Sequence, residues 1–93
     1  MLSTVIKRKQ LSIQKQKEYL IGYYKNAEKC LRKAIQLVPK DPIVNDHYAD
    51  ILWKLDRKIQ AKYYLESALN SEDTKNKLKL NISKKLLKVL DES

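Results

Sequence analysis

Residues that interrupt helices are nearly absent from this sequence: one Gly and two Pro occur in 93 positions. That scarcity excludes a sheet with many tight hairpins and points to a few long helices joined by short turns. A single cysteine, Cys30, excludes an internal disulfide, and with no second Cys at redox spacing it is expected to be a buried apolar residue. A single histidine, His47, excludes a His-based metal cluster. It shares a helix with Asp46 and Asp50, but no third strong ligand follows, so no metal or cofactor is expected. With one Gly and one His there is also no phosphate-cradling loop, nucleophile elbow or Cys/His pair, and the chain reads as a non-enzyme. No apolar run approaches the ~20 residues of a membrane span. The N-terminus lacks the apolar stretch of a signal peptide, although a basic start whose first acid is Glu18 also occurs in transit peptides. The expected location is the cytoplasm.

The composition is 43% hydrophobic and 33% charged, too apolar for a disordered chain yet heavily solvated. A single domain of this length hides roughly 60–65% of its unfolded surface, so its core is thin. The net charge is +9 and is spread unevenly. Residues 1–21 and 22–40 carry +4 each, 41–73 carry −3, and 74–93 carry +4. A basic chain raises non-specific nucleic-acid binding as an alternative function. Against it, arginine, whose planar fork grips phosphate and guanine, is confined to Arg8, Arg32 and Arg57.

An internal repeat supplies the architecture. Ala27, Leu31, Ala34 and Ile35 recur 34 residues later as Ala61, Leu65, Ala68 and Leu69. In both copies, small, large and small residues share one helical face, a pattern for close helix contact. Around them stand Gly22-Tyr23-Tyr24-Lys25-Asn26-Ala27, then Pro39, and Asp41-Pro42 opening a second unit. Asp46 to Leu55 reads as that unit's first helix with Ala49 at a small crossing position, and Arg57 to Asn70 leads through its second. Over residues 22–70 the chain resembles a tetratricopeptide repeat protein, particularly the C-terminal repeats of bacterial members. The resemblance implies an all-α solenoid of about five helices with a C-terminal capping helix.

The divisions expected are a divergent first helix at 1–21, the first repeat's second helix at 22–40, a second repeat at 41–70, and a capping helix at 71–90. Locally, Asp41 suits a helix cap before Pro42. Gly22 suits a left-handed helix stop, and Asp56, where the family prefers Gly, tolerates that same backbone.

Both end helices carry unassigned apolar surface. In the 34-residue register the first helix would pack through Leu11, Gln14, Lys15 and Glu18, a mostly polar set. It has instead a stripe of Leu2, Val5 or Ile6, Ile13 and Leu20, with Lys9 and Gln16 completing a four-three spacing. A shifted register near residues 13–21 is therefore expected, with a loosely held start. In the last helix Leu78, Ile82, Leu86, Val89 and Leu90 form an arc toward the hairpin, while Leu80 and Leu87 point elsewhere and are candidates for self-association.

The resemblance further implies that first helices of each unit line a concave, partner-binding face. On this chain those positions are Ile43, Asp46, Asp50, Trp53 and Lys54. An acidic pair one turn apart beside an indole suits a basic or aliphatic segment, with the ring as anchor. The expected function is a protein–protein interaction module that takes a protein or peptide partner. About two repeats fall short of the ~3 that stacked arrays need, so a homo-oligomer is a further expectation.

Overall fold

A computed structural model describes residues 2–92, with side chains from Ile13 to Asp91. Four helices follow one another: α1 (Leu2–Leu37), α2 (Pro42–Lys54), α3 (Lys58–Leu69) and α4 (Asn76–Glu92). No strand occurs among the described residues. α2 packs on α1 at one side and on α3 at the other, and α3 also meets α4.

The length of α1 corrects the expected division. The helices placed at 1–21 and 22–40 are one 36-residue helix, so the described chain has four helices, not about five. Gly22 lies inside α1 and does not have the left-handed backbone of a helix stop. A mid-helix glycine costs only about 1 kcal/mol. Folding back at that point would place Gln14, Lys15 and Glu18 against the rest of the protein, where their burial offers little. The straight path keeps every backbone hydrogen bond instead. A continuous helix of this length spans about 54 Å, which explains a molecule of 60 × 29 × 21 Å.

From Asp41 onward the expected turns form. The Asp41 carboxylate accepts from the backbone N–H of Ile43 at 2.9 Å and of Val44 at 3.0 Å, while Pro42 enters the first turn without a donor to strand. The buried Asn45 amide donates to the carbonyls of Pro39 at 3.0 Å and Asp41 at 2.7 Å, tying the preceding turn down. Asp56 carries φ 60°, the left-handed residue that lets α2 reverse into α3. The last turn is held by the Thr74 hydroxyl donating to the Ala68 carbonyl, and by Ser71 Oγ donating to the Lys40 carbonyl at 3.2 Å.

The core is small and sits in the C-terminal two thirds of the chain: Tyr48, Ala49, Leu52, Ala61, Leu65, Ala68, Ile82 and Val89. Leu31 and Ile35 of α1, with Trp53, Tyr64, Leu69, Leu78 and Leu86, close around it. Each large aliphatic group fully buried here contributes about 1.5–3 kcal/mol. The three fully buried small residues Ala49, Ala61 and Ala68 let α2 and α3 approach closely. Tyr48 and Tyr64 meet edge to face across that contact, with ring centroids 4.6 Å apart.

Three expectations on burial fail. Residues 13–21 do not pack in a shifted register, since Ile13, Leu20 and Ile21 are 51%, 46% and 47% exposed and no described helix covers them. Cys30 is exposed, because it lies on a flank of α1 that no neighbouring helix covers. Leu90 is 55% exposed, so the inward arc of α4 consists of Leu78, Ile82, Leu86 and Val89 alone.

Candidate partner-binding surfaces

The five residues expected to line one face of α2 are distributed over three environments. Asp46 and Asp50 turn toward α4 and converge on one ammonium. Lys85 Nζ lies 2.8 Å from an Asp46 carboxylate oxygen and 3.0 Å from one of Asp50. Asp46 is 8% exposed, whereas Asp50 retains partial access to water. Burial lowers the proton affinity of Lys85, but the two hydrogen bonds and the two carboxylate charges together outweigh it and hold its pKa above 10.5.

Trp53 stands beside this pair. With Ala49, Asp50, Leu65, Lys85, Lys88 and Val89 it walls a cavity of about 160 Å³ between α2, α3 and α4. Lys58 Nζ sits 5.3 Å from the indole centre. One residue further on, Lys54 points the other way and rests its Nζ 5.2 Å from the Tyr24 ring of α1. Ile43 is 57% exposed at the opposite end of α2, where it joins Pro42, Asp73, Lys75 and Leu78 around a shallow depression. The structure thus brings Asp46, Asp50 and Trp53 together, and leaves Ile43 apart at the start of α2 and Lys54 turned toward α1.

Leu80 and Leu87 of α4 are 57% and 63% exposed and point away from the hairpin, as their spacing implied.

A second charged cluster was not legible in the sequence. Glu28 of α1 is 3% exposed, and its carboxylate is gripped by both nitrogens of the Arg32 fork. Arg57, from the turn before α3, donates to the same carboxylate at 3.3 Å, and the Tyr48 hydroxyl lies 3.4 Å away. The Arg32 hydrogen bonds hold the Glu28 pKa below its ordinary 4.5 despite burial, with Arg57 adding to the effect. Ile59, Gln60, Tyr63 and Tyr64 complete an open groove of about 400 Å³ beside it. The one sequence signal was local: Glu28 is the sole acid between residues 22 and 40, four residues before an arginine. That Arg57 would join it depends on tertiary packing.

Comparison of the chain with family models, curated proteins and solved structures finds no match. No described helix is long and apolar enough to cross a membrane.

Proposed function

We propose that this protein is a protein–protein interaction module of the tetratricopeptide type, which holds a segment of a partner on α2 and also self-associates. One observation carries the binding reading: two carboxylates converge on a single ammonium beside a half-buried indole and an apolar cavity. Such a site selects an aliphatic or aromatic group by fit, and orients a cation only through the part of the Asp50 carboxylate that Lys85 leaves open to water. A partner segment bearing Lys or Arg next to an apolar residue matches it. Asp50, the more exposed acid, meets the partner's cation, Trp53 supplies the anchor, and Ile43 extends the surface toward the start of α2, while Lys54 lies outside it.

The test is calorimetric titration with a partner captured on the wild-type protein. Trp53→Ala and Asp50→Lys should each weaken binding about tenfold or more, as expected of an anchor and of a reversed charge at an interface centre. A partner that binds both variants as tightly as wild type contradicts the assignment of this surface.

The alternative, non-specific nucleic-acid binding, draws on the exposed Lys75 just before α4 and the exposed Lys77, Lys79, Lys84 and Lys88 within it. It is weaker because Arg32 and Arg57, two of the three arginines, are committed to Glu28. A retardation assay at physiological salt with no shift removes it.

A further inference from the structure

The 34-residue offset pairs α3 with the C-terminal half of α1, yet the two are buried to different depths. Ala61, Leu65 and Ala68 are 0%, 3% and 0% exposed, because α3 lies between α2 and α4. Ala27, Leu31 and Ala34 hold the same positions on α1 but are only half-buried, since α2 alone packs extensively against α1 among the described residues. One flank of α1 is left open. It shows Tyr23 at 60% exposure, Leu37 at 83% and Cys30, and runs on toward the N-terminus through Leu20 at 46% and Ile13 at 51%.

These residues follow one rule. Positions 13, 16, 20, 23, 27, 30, 34 and 37 alternate three and four apart, the spacing of a coiled-coil seam, and in the sequence the same spacing continues back through Lys9, Ile6 and Leu2, with Lys9 falling opposite an alanine, Ala34, in the register below. The seam is large in its N-terminal half and small in its C-terminal half, where it holds Ala27, Cys30 and Ala34. A parallel pair would set small against small. An antiparallel pair sets large against small.

We infer that two copies of this chain pair antiparallel through α1, about a two-fold axis between Leu20 and Tyr23, so that the N-terminal half of each helix covers the open flank on the other. The inference deepens the self-association part of the function proposed above and rests on it. In this register Ile13 lies opposite the partner copy's Cys30, Gln16 opposite its Ala27, and Leu20 opposite its Tyr23. Where a polar seam residue such as Gln16 faces an alanine, it has room to reach water.

Charge does not oppose the pairing, although each half of α1 is basic. Of the described positions flanking the seam, 17, 19, 24, 26, 31 and 33, only Lys17 and Lys33 are charged, and the pairing places Lys17 beside the partner's Tyr24. Lys15, Lys25, Lys29 and Arg32 fall on the outer faces. The two helices overlap over residues 6–37, about 48 Å, and for helices about 10 Å across the contact is on the order of 1,000 Å² over both copies. That is the size at which a specific interface begins. An unrelated partner helix would have to match this seam by accident, whereas the second copy matches it by symmetry.

The test uses the full chain. Sedimentation velocity should give twice the 11.0 kDa chain mass. Ile13→Cys, oxidised with native Cys30, should give a covalent dimer on a non-reducing gel. Within one chain these positions lie 17 residues apart on one helix, about 25 Å, so they cannot join intramolecularly. For the same reason native Cys30 alone, and Lys15→Cys on the outer face, should not cross-link. Leu20→Asp with Tyr23→Asp should yield monomers of unchanged helicity, because both residues are exposed and outside the core.

The pairing is overturned by a wild-type monomer at high concentration, or by cross-linking through Cys30 alone, which indicates parallel helices. It is equally overturned by a dimer that Leu80→Lys/Leu87→Lys breaks and Leu20→Asp/Tyr23→Asp does not. In each of those cases a partner that still needs Trp53 leaves the peptide-binding reading standing.

Discussion

Arg57 donates to the carboxylate of Glu28 at 3.3 Å across a separation of 29 residues, and so fastens the turn between α2 and α3 to the C-terminal half of α1. Glu28 is buried, while the Arg32 and Arg57 side chains are 56% and 47% exposed and remain partly hydrated. The cluster therefore depends on the acid. Glu28→Gln should destabilise the fold by about 1–3 kcal/mol, measured by urea unfolding at neutral pH. Equal midpoints for variant and wild type would contradict this.

The same residue sets an acid limit. Its pKa is depressed in the folded state, so its stabilisation is complete above its ordinary 4.5 and is lost as pH falls through the lower folded value. Wild type and Glu28→Gln should converge in stability below pH 4.5. Parallel pH curves down to acid unfolding would contradict the cluster.

Lys85 gives the opposite sign. Its folded pKa is raised above 10.5, so the contribution of its contacts is whole below that value and fades as pH rises through the folded one. Lys85→Met leaves Asp46 and Asp50 facing each other without a cation. Water screens a group whose side chain is 36% exposed, so the expected loss is near 1 kcal/mol. Adding Asp46→Asn should recover part of it. A double variant no better than the single one would show that the acids do not depend on this lysine.

Asp56→Gly should stabilise the protein by about 0.5–1 kcal/mol, because only glycine holds φ 60° without a steric cost. The ion pair that Asp56 forms with Lys58 spans 3.9 Å between exposed side chains and offsets little of this. A loss of stability on thermal unfolding would mean that the carboxylate has a role beyond its backbone conformation.

The hairpin was legible in the sequence because its signals are local. The Asp41-Pro42 cap, the left-handed Asp56 and the alanine spacing at 61 and 68 each act within a turn or two, and each appears as read. Gly22 misled for the same reason. A glycine signals a helix end only where the returning chain can bury something, and Gln14, Lys15 and Glu18 give it nothing to bury. The all-helical class was therefore readable, but the helix count was not. In the candidate site, the i,i+4 spacing of Asp46 and Asp50 was visible, but that Lys85 would reach them depends on how α4 crosses α2 and α3. The Glu28 cluster was hidden for a similar reason, since its four members come from α1, α2 and the turn before α3.

Both the open seam of α1 and the pairing drawn from it require α1 to run unbroken through Gly22, and Gly22→Ala tests this most directly. Apart from its chain neighbours and the backbone of its own helical turns, no atom lies within 4 Å of the methyl group this change would add. In a continuous helix alanine should stabilise the protein by about 0.5–1 kcal/mol and raise its thermal midpoint by a few degrees, compared at equal protein concentration. A fall of about 1 kcal/mol or more would mean that Gly22 occupies a left-handed turn, that α1 folds back there, and that the seam does not exist.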